Sequence, residues 1–152
     1  IVKNKLDNIK LILIGYGPEL QKVKSFAKEL KVIKDIIIIN KTYNPYPYMK
    51  KSDLLILTSV YEGFPNVLVE SLTIGTPVIS TNANAGASEI VLNGKGGDLI
   101  KLGDYKDLAK KIINHFNSPR KLQMKTKIAK NNLFRFETKR HSKIYTNLFK
   151  KI

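Results

Sequence analysis

Apolar and polar positions fall in blocks along this chain. Short apolar runs at Leu11–Ile14, Ile36–Ile39 and Leu54–Leu57 are each followed by turn residues and then by a more polar stretch. Runs of consecutive apolar residues are typical of strands that are covered on both faces of a parallel sheet. We therefore predict an α/β fold, a Rossmann-like doubly wound parallel sheet, and expect Ile36–Ile39 to be a central strand.

Helical spacing of apolar residues separates the predicted strands. A helix over residues 19–30 is expected to rest on the sheet. Its apolar face consists of Leu20, Val23, Phe26, Ala27 and Leu30. Pro45 and Pro47 are expected to delay the next helix until about Tyr48, whereas Pro65 opens a helix that continues to Ile74.

The second half of the chain repeats the alternation and then becomes helical. A fourth strand is predicted at Val78–Ser80, a loop over residues 81–88, a turn or short helix at Glu89–Leu92 and a strand near residues 98–100. Helices follow at about 104–117, 119–131 and 137–151. With 152 residues, 17.2 kDa and 43% hydrophobic residues, the chain has material for a single domain over residues 1–152.

Composition excludes several classes of protein. No apolar run approaches the roughly 18 residues that a membrane-spanning helix needs. The chain has no Cys and only two His, so it offers neither a Cys-ligated nor a His-rich metal site. Ile1 is not an initiator Met and no signal peptide follows it, so we interpret the sequence as a fragment of a longer chain. The absence of Cys, which leaves no disulfide framework, is consistent with a cytoplasmic location.

The net charge of +15 favours polyanionic partners such as nucleic acid, anionic lipid or phosphorylated small molecules. A coding bias towards Lys, Ile and Asn explains the same excess. No basic run interleaved with aromatic residues, of the kind that single-strand readers use, stands out, so we expect no nucleic-acid partner.

Two segments carry candidate chemistry. Gly15-Tyr16-Gly17 follows a strand as a phosphate-binding turn does, but Leu20 occupies the position of the third glycine of a dinucleotide fingerprint. Residues 59–70 follow the carboxyl end of a predicted parallel strand, the usual place for ligands in such sheets. Gly63 lets the backbone approach a ligand, and the amides of Asn66 and Val67 at the helix start suit a diphosphate.

Two carboxylates flank that anion position. Glu62 lies in the loop and Glu70 two turns into the helix, where they are suited to accept hydrogen bonds from sugar hydroxyls. A structural interpretation stays open, in which Glu62 only favours the helix dipole and Glu70 pairs with a surface Lys.

The longer pattern resembles the family 4 glycosyltransferases, which have the two-domain GT-B fold. Residues 59–81 look like the family's two glutamates separated by seven residues and followed by Gly75-Thr76-Pro77-Val78-Ile79. Gly86-Ala87-Ser88-Glu89 and Asn93-Gly94-Lys95-Gly96-Gly97 resemble its next two blocks. Asn44-Pro45-Tyr46-Pro47-Tyr48 is similar to the stretch ahead of that motif in bacterial capsule and lipopolysaccharide enzymes.

The resemblance implies a role for each matching residue. Glu62 would be the catalytic residue that contacts the donor sugar near its reacting carbon, and the amides of Gly63 and Phe64 would hold sugar hydroxyls. The amides of Asn66 and Val67 would lie near the diphosphate, and Glu70 would bind the ribose. The nucleobase would lie near residues 40–42. Such enzymes retain anomeric configuration and generally need no catalytic metal or other cofactor.

The resemblance also implies what lies outside this chain. The family's donor half begins with a further strand and a loop whose Arg and Lys grip the donor phosphates, and the acceptor domain precedes it. We therefore expect the donor-binding domain of an enzyme that transfers a sugar from a UDP-sugar to a cell-surface glycan or a lipid-linked acceptor. It would be cytoplasmic, with peripheral contact to an anionic membrane, and the isolated fragment would be inactive.

Two alternatives remain open on the sequence. One is a non-catalytic basic α/β module that docks on anionic membrane or nucleic acid through its lysine-rich helices. The other is a different GT-B enzyme, such as a nucleotide-sugar epimerase, that shares the nucleotide site. The sequence does not specify the sugar, the acceptor, the linkage or the oligomeric state.

Overall fold

A computed structural model describes residues 1–83 and 85–150. Over these residues the chain alternates strands with helices and ends in three consecutive helices. The strands are β1 (Leu11–Ile14), β2 (Ile36–Ile39), β3 (Leu55–Leu57), β4 (Val78–Thr81) and β5 (Asp98–Ile100). The helices are α1 (Leu20–Glu29), α2 (Tyr46–Lys51), α3 (Asn66–Ile74), α4 (Ala85–Ile90), α5 (Tyr105–Asn117), α6 (Arg120–Asn131) and α7 (Thr138–Phe149). Three-residue or four-residue 3-10 turns lie at Val2–Asn4, Ile33–Asp35 and Leu133–Phe136.

All strand pairs among the described residues are parallel, and they form two sheets. One sheet pairs β1 with β2, with Leu11 opposite Ile36 and Ile14 opposite Ile39. The other has the order β3-β4-β5, with Leu55 opposite Val78. The predicted α/β class with parallel strands is confirmed.

The three-stranded sheet is covered on both faces. Alternate residues of a strand point to opposite faces, so Val78 and Ile79 enter different clusters. Val78 packs with the buried Leu68 and Leu72 of α3 and with α4 and α6. Ile79 packs with Ile112 of α5 on the opposite face. Helices on both faces make this sheet doubly wound.

The two-stranded sheet differs from the sequence prediction. β2 is an edge strand rather than a central one, and Ile37 at its middle is 48% exposed. The apolar face predicted for α1 is also largely open, since Ala27 is buried but Phe26 is 60% exposed. Hydrophobic runs predicted these elements correctly, but most of their apolar side chains are exposed or only partly buried within the described residues.

Element boundaries agree with the predictions to within a few residues, with two corrections. Helix α2 begins at Tyr46, earlier than expected, because Pro45 is its N-cap and Pro47 lies in the first turn, where no amide is needed. Helix α4 begins inside the predicted 81–88 loop, of which Asn84 lies outside the described residues. The predicted end of the last helix at residue 151 is likewise outside them.

Caps explain the ends of two central helices. Gly75 ends α3 in the left-handed conformation at φ 96°, and its amide donates to Ser71 and Leu72. Asp104 begins α5, because its carboxylate accepts from the Asp107 amide at 2.9 Å.

The last helix lies on the surface. All residues of α7 are exposed, among them the apolar Ile144, Leu148 and Phe149. Across the described residues no helix has the length and apolar character needed to cross a bilayer.

Candidate functional site

The carboxyl ends of the parallel strands carry the polar loops. Gly15 directly follows β1, Asn40 follows β2, and Ser59 follows β3 after a two-residue step. This is the edge at which open α/β sheets bind ligands. The turn at residues 15–17, the predicted nucleobase segment at 40–42 and the Glu62 loop therefore all begin on one edge.

Two successive hydrogen bonds connect Glu62 to β4. The Thr81 hydroxyl donates to the Ser59 carbonyl at 2.7 Å, which ties the loop to the sheet. The Ser59 hydroxyl then donates to Glu62 Oε1 at 2.7 Å. Glu62 is partly buried and acts as an acceptor in this contact. The carboxylate is thus oriented at the strand end rather than extended into solvent.

Gly63 is held by a close backbone contact with α4. A Cβ added to Gly86 would lie 2.4 Å from the Gly63 carbonyl oxygen and 3.3 Å from Pro65 Cδ, so only glycine fits at position 86 without a shift. Gly63 itself has open space where its Cβ would be. The loop is therefore packed on one side and open on the other, where a ligand would approach.

Phe64 fixes the other end of the loop. Its ring makes an edge-to-face contact with Phe136, with centroids 5.1 Å apart and an interplanar angle of 69°. The Arg135 guanidinium stacks 4.5 Å from the Phe136 ring and donates to the Glu89 and Ile90 carbonyls at the end of α4. Helix α4 and the 133–136 turn thus clamp the loop together.

Helix α3 presents its start to the same edge. Pro65 is the N-cap and supplies no side-chain hydrogen bond to the first turn. Leu68 donates back to Pro65, whereas the amides of Asn66 and Val67 precede the first bonded turn. Such amides, at the positive end of the helix dipole, are suited to bind an anion.

Glu70 lies on the same helix and is partly buried. Among the described residues it forms no salt bridge, so the structure offers no support for the alternative in which it pairs with a surface Lys. The opposite side of α3 contributes the buried Leu68 and Leu72 to the core. The helix is therefore anchored in the core by its apolar side.

Away from the Glu62 loop, the described residues form a cavity but no cluster suited to a metal ion. In the described part of the chain, no three His, Asp or Glu side chains are grouped closely enough to hold a metal ion. A cavity of about 430 Å³ lies at the amino edge of the sheet, where His115 and Thr76 line it. His115 is buried, with Nε2 3.0 Å from the Asp53 carbonyl oxygen, so this cavity is separate from the Glu62 loop.

The positions of Gly86, Phe136 and Arg135 were not predicted as parts of the site. Gly86 lies in one of the blocks that resemble the family. The residues next to it in the sequence do not reveal that its backbone lies close to Gly63 in the fold. Phe136 follows α6, about seventy residues after the loop it contacts. The alternation Phe134-Arg135-Phe136 is the sequence feature that could have indicated a role for this segment at the site.

Comparison with known proteins decides the family. The sequence model of the family "Glycosyl transferases group 1" matches residues 1–132, which is most of the chain. This chain belongs to the group 1 glycosyltransferases. The motif blocks that suggested the resemblance all lie inside the matched range.

Two relatives of this glycosyltransferase domain are bacterial glycosyltransferases by their names. It is 33% identical over 101 residues, 66% of the chain, to N-acetylgalactosamine-N,N'-diacetylbacillosaminyl-diphospho-undecaprenol 4-alpha-N-acetylgalactosaminyltransferase of Campylobacter jejuni. It is 29% identical over 148 residues, 95% of the chain, to the capsular polysaccharide biosynthesis glycosyltransferase CapM of Staphylococcus aureus. The chain spans 28% and 37% of the lengths of these two relatives.

A solved structure has the same fold. Anabaena Alr3699/HepE in complex with UDP and glucose superposes with a TM-score of 0.85 at 25% identity, covering 98% of this chain and 42% of that one. The glycosyltransferase domain therefore has the Rossmann-like architecture of the C-terminal half of a GT-B fold.

Proposed function

We propose that this domain binds the nucleotide-sugar donor of a retaining glycosyltransferase, with UDP as the nucleotide. The observation that carries the proposal is the arrangement at the start of α3. A carboxylate oriented by Ser59 and a glycine loop clamped by α4 lie directly ahead of helix amides that have no side-chain cap.

Each part of this arrangement has a chemical task in sugar transfer. Breaking the bond between the anomeric carbon and the diphosphate leaves negative charge on the leaving oxygen. The amides of Asn66 and Val67 would stabilise that charge without reorganising during the reaction. The amides of Gly63 and Phe64 would hold the sugar, with Glu62 next to the reacting carbon and Glu70 on the ribose hydroxyls.

Retention follows if the acceptor attacks from the face that the diphosphate leaves. The leaving phosphate oxygen would then take the proton of the acceptor hydroxyl while the new glycosidic bond forms. In this scheme the diphosphate charge is met by helix amides and basic side chains, so we propose that no catalytic metal is required.

UDP is favoured over other nucleotides by two observations. The 44–48 block is similar to that of capsule and lipopolysaccharide enzymes, and the HepE structure was solved with UDP and glucose. The names of the relatives point to a glycan or lipid-linked acceptor. We further propose that the parent enzyme works in the cytoplasm, where its positive charge favours contact with an anionic membrane.

The nucleotide proposal is tested by calorimetric titration of the chain with UDP, GDP and ADP at moderate salt. We expect UDP to bind more tightly than GDP and ADP, and Glu70→Ala to weaken the binding of all three nucleotides by removing the contact to the ribose that they share. Glu29→Ala, an exposed carboxylate of α1, is the matched control and should bind as the unmodified chain does. Equal affinity for all three nucleotides, lost with salt and unaffected by Glu70→Ala, would instead indicate a non-specific basic surface.

A further inference from the structure

The tip of the Glu62 loop exposes two large apolar side chains next to each other. Val60 is 72% exposed and Tyr61 is 81% exposed. The chain bends at Val60, and the Ser59 hydroxyl reaches across the bend to the Glu62 carboxylate at 2.7 Å. Residues 60 and 61 therefore lie at the outer end of a loop that is closed at its base.

The packing of the fold does not account for these two side chains. Within the described residues, neither belongs to the two buried clusters or to the apolar side chains packed against them. Their neighbours on the loop have structural contacts, since Ser59 orients Glu62 and Phe64 packs on Phe136. Ligand sites combine aromatic side chains with a few well-placed polar groups, and here an exposed ring adjoins an oriented carboxylate.

The Tyr61 ring and the Glu62 carboxylate are directed differently. Glu62 is partly buried and turned back towards Ser59, whereas the ring next to it is in solvent. Thr81 holds the Ser59 carbonyl and α4 packs against Gly63, so the backbone is fixed on both sides of Tyr61. A tyrosine has only two side-chain torsions, so such a ring loses little conformational entropy when a ligand packs on it.

A sugar ring has the chemistry to use this surface. One face of a pyranose presents C–H groups that pack on the face of an aromatic ring, while the hydroxyls at its rim form hydrogen bonds. In the proposed function, Glu62 lies next to the reacting carbon of the donor sugar. The acceptor hydroxyl must reach that carbon from the solvent side, where the Tyr61 ring lies, and must be held in a suitable orientation.

We propose that Tyr61, supported by Val60, binds the acceptor by stacking on the apolar face of its sugar ring. The ring orients the acceptor hydroxyl towards the donor carbon beside Glu62. The inference rests on the proposed function, which places the donor sugar at that carboxylate. It assigns part of the recognition of the acceptor to this domain.

NMR with labelled tyrosine rings tests this proposal in the chain, with and without saturating UDP. The probes are the methyl glycosides of glucose, galactose, N-acetylglucosamine and N-acetylgalactosamine. We expect at least one of them to shift the Tyr61 ring resonances in the UDP-loaded chain. The ring of Tyr145, which is exposed on α7, is the internal control and should not shift.

Variants measure the contribution of the ring, with glycoside affinity obtained from the resonances of the glycoside itself. Tyr61→Ala should weaken binding of that glycoside at least ~3-fold, whereas Tyr61→Phe keeps the ring and should bind within ~2-fold of the unmodified chain. Tyr145→Ala is the matched control and should bind as the unmodified chain does. Equal affinity of Tyr61→Ala and Tyr61→Phe would overturn the proposal.

Three patterns of shifts would also overturn it. These are an unaffected Tyr61 ring with all four glycosides, equal shifts at Tyr145, and shifts at the Gly63 and Phe64 amides alone. The last pattern would place the glycoside in the donor-sugar position.

The UDP arm separates this inference from the proposed function. UDP shifts at Asn66 and Val67 with an unaffected Tyr61 ring would overturn the acceptor contact alone. A shifted ring without any response to UDP would support the sugar contact and overturn the nucleotide proposal. No response to either ligand would overturn both.

Discussion

The two halves of this domain have the same alternation of apolar strands and amphipathic helices but very different burial. In the half built on β3, β4 and β5, Leu72 and Ile79 are completely buried between helices on two faces. In the half built on β1 and β2, Ile37 and Phe26 are about half exposed. The hydrophobic pattern specifies whether a strand or a helix forms, whereas the burial of that strand or helix depends on the segments that pack beside it.

The candidate site belongs mainly to the well-packed half. Glu62, Gly63 and Phe64 are held by contacts to β4, α4 and the 133–136 turn. The half with β1 and β2 contributes loops whose glycines have open space around them. We therefore expect mutations in the half with β3, β4 and β5 to lower the free energy of unfolding more than mutations in the half with β1 and β2.

The largest effect is expected from truncation in the buried half. Leu72→Ala removes a fully buried side chain and should lower the free energy of unfolding by about 2–5 kcal/mol. Phe26→Ala in the open half should cost only about 0.5 kcal/mol, because its ring is already mostly in water. Urea denaturation of both variants measures the difference, and equal losses would show that α1 is as well packed as α3.

A smaller effect is expected at the contact between α4 and the Glu62 loop. Gly86→Ala places a methyl group against the Gly63 carbonyl and should cost about 1–3 kcal/mol. Gly63→Ala is the matched control, since its Cβ would enter open space and stability should change little. Thermal unfolding compares the pair, and the account of the loop would be wrong if Gly63→Ala were the more destabilising change.

The ring contact between Phe64 and Phe136 is expected to contribute still less to the free energy of unfolding. Phe64→Leu keeps an apolar side chain but removes the edge-to-face pair with Phe136, which should cost about 0.5–1.5 kcal/mol. Tyr61→Leu, on the same loop but highly exposed, should leave the midpoint of urea unfolding unchanged. Equal shifts in the two variants would mean that the ring pair does not hold the loop.

The smallest effect concerns the ion pairs beside β2. Hydrogen bonds from Lys10 and then Lys3 hold the pKa of Asp35 below its usual value. A lowered folded-state pKa stabilises the fold fully above that usual value, and the contribution is lost as pH falls through the folded pKa. Asp35→Asn should therefore slightly flatten the profile of unfolding free energy against pH below about pH 4.

Sequence reasoning predicted the elements well because their determinants are local. Pro65 and Gly75 mark the ends of α3, and Asp104 marks the start of α5. Glu62 and Glu70 were identified from their spacing on a strand-loop-helix segment. These features depend on residues within a few positions of one another.

The remaining features depend on contacts between distant segments. The close approach of Gly86 to Gly63 and the ring pair of Phe64 and Phe136 join parts of the chain that no local pattern connects. The edge position of β2 and the burial of His115 are likewise set by which elements lie nearby. A run of four isoleucines is compatible with either a central or an edge strand, so the pattern alone predicted the wrong position.

We propose above that a nucleoside diphosphate binds where the Glu62 loop meets α3. The most direct test follows backbone amide resonances by two-dimensional NMR during titration of the chain with UDP, a method that detects weak binding. We predict that the amides of Gly63, Asn66 and Val67 shift the most. Shifts concentrated instead at Thr76 and His115, around the cavity on the opposite edge of the sheet, would contradict the account.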